Sequence, residues 1–385
     1  MLKSLRLGNF KCFEDETFSL GALTVLSGIN GAGKSSVVQA LLILRQVLMK
    51  ETFIDPIVSL SGELVDIGRA SDILFTDAEE DLIFIEVNLE SSKLSLAWMV
   101  NTETGEASWA NFDEVRERFD EFSQDACGLF NGASVIHTKV GGFNYLNAER
   151  LGPRKALTLG DNHARLLDVG KHGEHVFDGL LRHGVTTILA SGDARRNARA
   201  QGDRLRDQVE AWLEEISPGV QLSIRGVPEA DIAMGSFTFG REGALRSPEY
   251  RPTNVGFGLS YVLPVLVSLL SAPKGGLVVI ENPEAHLHPR GQTMMGDLCA
   301  RAAAAGVQVI IETHSDHVLD GVRLAVQAGV LSRLDAVIHY LSQENGRSVR
   351  RSPVIDDDGR LSEWPEGFFD QHRKNAAQLI RPKRS

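Results

Sequence analysis

The segment from Gly28 to Ser35 reads Gly-Ile-Asn-Gly-Ala-Gly-Lys-Ser and matches the pattern GxxxxGK[ST] in full. An apolar strand is predicted directly before it, at Leu23 to Leu26, and an amphipathic helix directly after it, from about Lys34 to Met49. In that context the pattern predicts a phosphate-binding loop, because glycines let backbone N–H groups turn inward and a helix N-terminus adds positive potential. A chance glycine-rich turn is the alternative.

The residues of this loop have separate expected roles. Lys34 is expected to reach the β- and γ-phosphates of a nucleotide, and the hydroxyl of Ser35 is expected to bind Mg²⁺. The other nucleotide-binding residues predicted on the loop are Asn30, Gly31, Gly33 and Ser36.

An apolar strand at Leu277 to Ile280 is followed by Glu281, which supplies the second half of such a site. A strand that ends in an acid can hold the metal ion, so Glu281 is predicted as the acid on the Mg²⁺ side. His286 and His288 follow at a spacing that superficially suggests a metal pair. Two such imidazoles are more often structural, and we interpret them so.

A third strand, at Val307 to Ile311, leads into the run Glu312 to Asp316. Open α/β sheets place ligand-binding groups at the carboxyl ends of their strands, so His314 is predicted to face the γ-phosphate. The alternative is a helix cap made by Ser315 or Asp316 beside an incidental histidine.

Composition narrows the class of protein. The net charge of -11 argues against a uniformly basic DNA-coating protein. The longest apolar run, Tyr261 to Leu270, is too short to span a bilayer, and the three cysteines form no CxxC pair, so a cytoplasmic protein is expected. We interpret one arginine cluster as a solvated helix face, with nucleic-acid contact as the alternative. It comprises Arg195, Arg196, Arg199, Arg204 and Arg206.

Taken in order, the three segments resemble the Walker A, Walker B and histidine-switch motifs of ABC-type ATPases, which implies ATP as the nucleotide. The segment Asn9 to Phe13 resembles the opening of the RecF, SMC and OLD (overcoming-lysogenization-defect) branch, whose ATPases work on DNA or in phage defence. It adds Lys11 to the expected nucleotide-binding residues. The segment Asn254 to Ser260 resembles the ABC signature of that branch.

Three further segments resemble a family of stand-alone prokaryotic ATPases that carry a domain of unknown function. They are Tyr145 to Arg154, Glu281 to Pro289 and Trp364 to Asp370. Together with the motifs above, they extend the resemblance over nearly the whole chain. Members of that family resemble components of bacterial defence islands.

The resemblance implies a homodimer in which the ATP of one copy is closed off by the other. The closing residues would be Gly256, Gly258 and Ser260, because glycines permit close backbone approach and a helix N-terminus attracts phosphate. The alternative is that Gly256 and Gly258 merely form a turn before an apolar helix.

Two positions depart from the ABC pattern. Asn282 stands where ABC ATPases usually place a glutamate, and its amide can orient water but cannot accept its proton. Because general-base catalysis contributes about 10²- to 10⁴-fold, slow hydrolysis is expected unless Glu284 substitutes. The expected catalytic residues are therefore Glu281, Asn282, Glu284 and His314. The order of residues up to Ser260 also differs from LSGGQ, which leaves the atom that it contacts open.

The expected fold is α/β, an ABC-type ATPase head with a mixed or parallel sheet flanked by helices and with an inserted region of helices and strands. The predicted divisions are an N-terminal ATPase lobe at 1–100, the partly helical insertion at 101–250, a C-terminal lobe at 251–345 with the signature, Walker B and histidine-switch segments, and an extension at 346–385.

The expected function is an ATP-driven dimeric switch that controls a separate effector protein, or a DNA-linked activity, in anti-phage defence. OLD relatives carry a nuclease domain after the ATPase, whereas about seventy residues follow His314 here, so an effector in trans is expected. The acidic run Asp356 to Asp358 is interpreted as a β-turn and not a metal site. The alternatives are a RecF-like DNA-repair ATPase, with DNA as its partner, and a nucleotide-dependent scaffold that does not hydrolyse ATP.

Overall fold

The computed structural model describes residues 1–48, 60–115, 117, 142–160, 167–240, 246–369, 374–375 and 378–379. Its strands are β1 Ser4–Phe10, β2 Phe13–Ser19, β3 Leu23–Gly28, β4 Leu82–Asn88, β5 Lys93–Asn101, β6 Glu106–Trp109, β7 Phe143–Leu146, β8 Leu157–Thr158, β9 Val220–Val227, β10 Ile232–Phe239, β11 Leu277–Glu281, β12 Gln308–Glu312, β13 Ala336–Glu344 and β14 Arg347–Arg351. Its helices are α1 Lys34–Leu48, α2 Val176–His183, α3 Leu205–Ile216, α4 Phe257–Ser271, α5 Pro289–Ala304 and α6 Asp316–Gln327.

A six-stranded sheet in the order β14-β13-β3-β12-β11-β7 joins distant parts of the chain. All its neighbouring strands are parallel except β13 and β14. Its central strands are almost entirely apolar and buried, as strands covered on both faces must be. The predicted α/β class with a mixed sheet between helices is confirmed.

Each face of this sheet packs into its own apolar core. Ile280 and Ile311 belong to a core shared with α3, α4, α5 and α6. Val279 and Ile310 point to the other face and join α1 and the N-terminal strands. The alternation along each strand therefore places helices on both sides and leaves the strand ends as the accessible edge of the sheet.

A second sheet, in the order β2-β1-β4-β5-β6, is antiparallel and packs against α1. Its pattern is that of a half-buried sheet, because Ile83, Ile85 and Val87 are fully buried while the residues between them are partly exposed. A third, three-stranded sheet has the order β8-β10-β9 and packs with α2 and α3. Strand β7, which falls in the range 101–250, pairs with β11 in the central sheet.

The arginine cluster differs from its interpretation as a solvated helix face. Arg195 is 7% exposed, forms an ion pair with Asp193 and donates to the carbonyl oxygens of Leu269 and Ala272. It therefore fixes the C-terminal end of α4. The interpretation as a helix face is wrong for Arg195, which is buried, and for Arg196, Arg199 and Arg204, which precede α3, whereas Arg206 lies in that helix.

The run Asp356 to Asp358 forms a turn, in which the side chain of Asp356 accepts from the backbone N–H groups of Asp358 and Arg360. The described helices include none that is long and apolar enough to cross a membrane. Cys12 and Cys299 are free thiols, whereas Cys127, Met49 and Asp370 lie outside the described residues.

Candidate nucleotide site

The loop between β3 and α1 is shaped by glycines that no other residue can replace without strain. Gly28 and Gly33 have φ values of +141° and +103°. A Cβ at Gly28 would lie 2.0 Å from the carbonyl oxygen of Leu341, and one at Gly33 would lie 2.5 Å from the Sγ of Cys12. The loop is therefore pressed against β13 and the β1–β2 hairpin, and its backbone turns as a phosphate cradle requires.

Lys34 places its ammonium group inside this loop. The side chain is 4% exposed, and its Nζ donates to the carbonyl oxygens of Gly28 and Ile29 at 3.0 and 2.8 Å. Burial lowers the pKa of Lys34, and the attraction of Glu312 partly opposes that shift. A buried cation held only by neutral carbonyl groups is well placed for exchange onto a phosphate.

Ser35 contacts an acid that the sequence did not single out. Its Oγ lies 3.2 Å from each carboxyl oxygen of Glu312, the last residue of β12. Burial and the neighbouring carboxyls of Glu281 and Glu284 raise the pKa of Glu312 to about 7. The strand order explains this contact, because β12 lies between β3 and β11.

Glu281 lies one strand further away, paired in register with Glu312. The phenol of Tyr145 donates to Oε1 of Glu281 at 2.7 Å, and burial raises the pKa of that carboxyl. Neighbouring residues in register on parallel strands point to the same face, so the two acids form one row beside the loop. The predicted metal-side acid is thus joined by a second acid that contacts Ser35 directly.

The turn after β11 is held by Arg150, which is 3% exposed. Its guanidinium donates to the carbonyl oxygens of Glu281 and Asn282 at 2.7 and 2.5 Å. Asn282 adopts a left-handed conformation with φ +47°, and its Oδ1 is buried without a hydrogen-bond partner. The amide is therefore available for a further hydrogen bond at the site.

Glu284 links this turn to the next strand end. Its Oε1 accepts from the backbone N–H of His314 at 2.8 Å, whereas Oε2 is buried without a partner. Burial raises the pKa of Glu284, and burial together with the charge of Lys34 lowers the pKa of His314. Ser315 caps α6 by accepting from the N–H of Val318, so the cap that the sequence offered as an alternative is present beside His314.

The glycines of the signature segment begin an apolar helix. Gly256 is the N-cap of α4, and Ser260 lies in its first turn. Gly258 packs so closely that a Cβ would lie 2.8 Å from the carbonyl oxygen of His286, and the ring of His286 contacts that of Tyr261 in a tilted arrangement with the ring centres 4.4 Å apart. The turn before an apolar helix, which is the alternative interpretation of these glycines, is present, while their contact with the ATP of a second copy stays a prediction.

The remaining predicted residues surround the loop. Lys11 has φ +53° and donates to Oε1 of Gln39 on α1 at 2.5 Å. Asn30 and Gly31 are exposed at the tip of the loop, and the N–H of Ser36 donates to the carbonyl oxygen of Gly33 within the first turn of α1. His288 caps α5 by accepting from the N–H of Arg290, and no group of three metal-ligating side chains occurs in the described part of the chain.

These residues fit ATP and Mg²⁺. At Gly28 and Gly33 the loop has no room for a side chain. The ammonium group of Lys34 has no carboxylate partner within 4 Å among the described residues. The hydroxyl of Ser35 and the carboxyls of Glu281 and Glu312 lie beside the loop. Oxygen ligands of this kind suit Mg²⁺. Sequence reasoning missed Glu312, Tyr145 and Arg150, although Glu312 directly precedes Thr313-His314 and the other two lie in the segment 145–154, which resembles a family of stand-alone prokaryotic ATPases.

A phosphate-binding loop that faces acids from two neighbouring strand ends, on a sheet of this order, is the arrangement of a P-loop ATPase, and the chain is similar to proteins of the SMC and OLD type. The chain belongs to the family described as "AAA domain, putative AbiEii toxin, Type IV TA system", whose model matches residues 23–320. A second model, described as "Protein of unknown function (DUF3696)", matches residues 331–379. P-loop ATPases of this kind generally use ATP and Mg²⁺.

Relatives and solved structures agree with this class. The OLD nuclease of Thermus scotoductus is 24% identical over 382 residues, which cover 90% of this chain and 65% of that protein's length. The fold is similar to an SMC head bound to the C-winged helix domain of ScpA, with a TM-score of 0.53, 14% identity, and coverage of 92% of this chain and 98% of that one. It is also similar to an SMC head with an extended coiled coil bound to the C-terminal domain of ScpA derived from Pyrococcus furiosus, with a TM-score of 0.52, 12% identity, and 99% of each chain covered.

Proposed function

We propose that this chain is a cytoplasmic ATPase whose ATP-bound form dimerises and acts as a switch on a separate effector protein in prokaryotic anti-phage defence. The observation that carries the proposal is the contact of Ser35 with Glu312, beside the buried ammonium group of Lys34. It joins the P-loop, near the N-terminus, to acids that lie about 280 residues further along the chain.

Binding of the triphosphate would rest on Lys34 and the N–H groups of the loop, which favour negative charge. Ser35 and Glu281 would hold Mg²⁺, and Glu312 stands near enough to add a carboxylate. When bound, the ion neutralises charge that develops on the transferred phosphoryl group. The pKa of Glu312 is raised to about 7. Binding of a cation would lower it again, because a nearby positive charge favours the ionised form of a carboxyl group.

Hydrolysis requires an acceptor for the proton of the attacking water. Asn282 cannot supply one, but the carboxyl of Glu284 has a buried oxygen without a hydrogen-bond partner and a pKa raised by burial. We assign Glu284 as the general base and Asn282 as a residue that orients the water. His314, whose backbone is bonded to Glu284, would face the γ-phosphate.

Dimerisation would bring Gly256, Gly258 and Ser260 of one copy to the ATP of the other. The support is the geometry at the start of α4, where Gly256 and Phe257 are exposed and Gly258 and Ser260 are partly exposed. Support for an effector comes from the SMC heads, which are seen bound to domains of ScpA, so a head of this fold can carry a partner protein. The role in defence rests on the resemblance of the segments 145–154, 281–289 and 364–370 to stand-alone prokaryotic ATPases, and the similarity to an OLD nuclease keeps DNA as an alternative target.

A nucleotide-dependent scaffold without turnover is the second candidate. One observation favours it: the residue after Glu281 is Asn282, whose side-chain oxygen is buried without a hydrogen-bond partner. Such a protein would bind ATP and dimerise but release no phosphate.

Measurement of phosphate release at saturating ATP and Mg²⁺ separates the two candidates. The switch predicts turnover by the wild type and a fall of about 10²- to 10⁴-fold in Glu284→Gln, with ATP affinity retained. Glutamine still offers an oxygen to the N–H of His314, so the variant preserves that contact. If neither protein releases phosphate, with candidate partners present, the scaffold is the correct function.

A further inference from the structure

A cavity of about 360 Å³ lies beside the central sheet, between the C-terminal end of α1 and strand β7. Its wall includes Arg45 of α1, Phe143 and Tyr145 of β7, and His175. Lys34 and Ser35 lie at the other end of α1, and neither lines the cavity. The cavity is therefore distinct from the phosphate-binding loop.

Arg45 is the unusual residue of this cavity. Its Nε and Nη1 are buried without a hydrogen-bond partner, and its guanidinium lies 5.0 Å above the ring centre of Phe143. Burial lowers the pKa of Arg45 to about 10, so the group is still a cation at neutral pH. Asp168 attracts it but makes no hydrogen bond to either of these two nitrogens. A partly buried guanidinium with two buried nitrogens that lack hydrogen-bond partners is costly unless an anion binds to it.

Several other polar groups of the wall bond to backbone, whereas Nδ1 of His175 is buried without a hydrogen-bond partner. Lys171 donates to the carbonyl oxygen of Glu63 at 2.6 Å, and carboxyl oxygens of Asp168 and Glu174 accept backbone N–H groups. These acids disfavour a multiply charged ligand such as a polyphosphate. A single negative charge suits Arg45, and the fork of its guanidinium matches the two oxygens of a planar carboxylate.

We propose that this cavity binds a small planar organic carboxylate, which pairs with Arg45. Binding would also act on the nucleotide site. Tyr145 lines the cavity and its phenol donates to Oε1 of Glu281 at 2.7 Å, so a ligand that shifts Tyr145 changes the hydrogen bonding of the Walker B acid. This second step rests on the proposed ATPase function, whereas binding of the carboxylate does not.

Calorimetry on the full chain with benzoate tests the binding step. Saturating ADP and Mg²⁺ are included so that the P-loop is filled. The wild type in ADP and Mg²⁺ is expected to bind benzoate saturably in the millimolar range, and Arg45→Gln at least tenfold more weakly. Lys34→Ala without nucleotide should bind benzoate like the wild type without nucleotide. Absence of saturable binding, or equal affinity in Arg45→Gln, overturns the proposal. Equal binding of benzyl alcohol, which has the ring but no charge, also overturns it.

A melting curve separates a ligand-binding role of Arg45 from a structural one. Because the substitution removes a partly buried guanidinium with two unpartnered nitrogens, Arg45→Gln is expected to melt within a few degrees of the wild type or above it. Benzoate should raise the melting temperature of the wild type and leave that of Arg45→Gln unchanged. A fall of more than about 5 °C in the variant makes Arg45 a structural residue and overturns the proposal.

Nucleotide affinity with and without benzoate tests the coupling step. The wild type should change its ATP affinity at least about fivefold when benzoate is saturating, and Tyr145→Phe should bind benzoate but lose that change. An unchanged ATP affinity in the wild type overturns the coupling and leaves the binding result standing. Failure of the wild type to bind ATP would instead remove the proposed function.

Discussion

Glu312 combines burial with like charge, and both act on its protonation. It is 6% exposed, pairs in register with Glu281, and accepts a hydrogen bond from the hydroxyl of Ser35. Its pKa of about 7, compared with the ordinary 4.5, means that folding favours its protonated form. The nearest cation is the ammonium of Lys34, which lowers that pKa but does not restore it. The charge of this residue is therefore set by whether a cation binds beside it.

A first prediction concerns the pH dependence of stability without nucleotide or metal. Between pH 4.5 and about 7, Glu312 is protonated in the folded protein and ionised in the unfolded chain. Its stabilising contribution to the free energy of unfolding is therefore complete below pH 4.5 and is lost as pH rises to about 7. The loss corresponds to about 3 kcal/mol. Glu312→Gln keeps an acceptor for Ser35 but cannot ionise, so its stability relative to the wild type should be higher at pH 8 than at pH 5. Urea unfolding at both pH values measures this, and an equal difference at both would contradict it.

Lys34 carries the second prediction. Lys34→Ala removes the buried ammonium group from the loop and should weaken ATP binding by at least about 100-fold, because the phosphates lose their main cation. Lys93→Ala is the control, since Lys93 is on β5 and pairs with Glu86 on an antiparallel sheet. Fluorescence titration with a labelled ATP analogue measures both, and unchanged affinity in Lys34→Ala would remove the P-loop assignment.

Among individual residues, those of the phosphate-binding loop could be predicted from the sequence, whereas their contacts with residues of other strands could not. Lys34 and Ser35 are marked by a local pattern, so their placement follows from one segment. The partner of Ser35 depends on which strand lies next to β3, and strand order is not encoded in any local pattern. For the same reason, the phenol of Tyr145 on Glu281 could not be read from residues that are 136 positions apart.

Among the elements, α5 and α6 pack at unusually close range. A Cβ at Gly296 would lie 2.1 Å from the carbonyl oxygen of Val318, and one at Gly321 would lie 2.1 Å from that of Thr293. Both obstacles are backbone atoms, so no side-chain movement can relieve them. Helix α6 starts directly after His314 and Ser315, which means that this contact also positions the end of β12.

The third prediction tests that contact. Gly296→Ala should destabilise the protein by about 2 to 4 kcal/mol, because the methyl group forces the two helices apart. Gly179→Ala is the matched control: Gly179 lies in α2, and its nearest neighbour would be a side-chain carbon of Leu167 at 3.5 Å. That variant should be neutral or stabilised by up to about 1 kcal/mol through helix propensity. Thermal unfolding measures both, and similar melting temperatures would show that the helices can separate at little cost.

Elements with strong local periodicity were predictable, and short or connecting ones were not. The helix predicted at Lys34 to Met49 is observed at Lys34–Leu48, and the strand predicted at Leu277 to Ile280 is observed at Leu277–Glu281. Strand β7 has only four residues, and the mixed polar sequence of β14 gives no alternating signal. Both lie at the edges of the central sheet, where tertiary pairing and not local preference selects the strand.

In the whole molecule, the carboxyl ends and the amino ends of the central strands lie on opposite sides. Parallel strands β3, β11, β12 and β13 all run towards the phosphate-binding loop, so chemistry gathers at their carboxyl ends. Leu334 lies at the other end, two residues before Ala336, which pairs with Leu23 at the start of β3. The class of fold was predictable because strands alternate with helices, whereas the mutual placement of the three sheets depends on contacts among segments that are distant in sequence.

The last prediction concerns the proposed dimer. Phe257 is 55% exposed at the start of α4, beside the signature glycines, and the proposed function places this surface against a second copy. Phe257→Asp should bind ATP like the wild type but require at least tenfold more protein to dimerise in ATP and Mg²⁺, since it buries a charge at the interface. Leu334→Asp, with 75% exposure at the opposite end, should dimerise normally. Sedimentation velocity with Glu284→Gln as the common background keeps ATP intact; equal dimerisation of both variants would place the interface elsewhere.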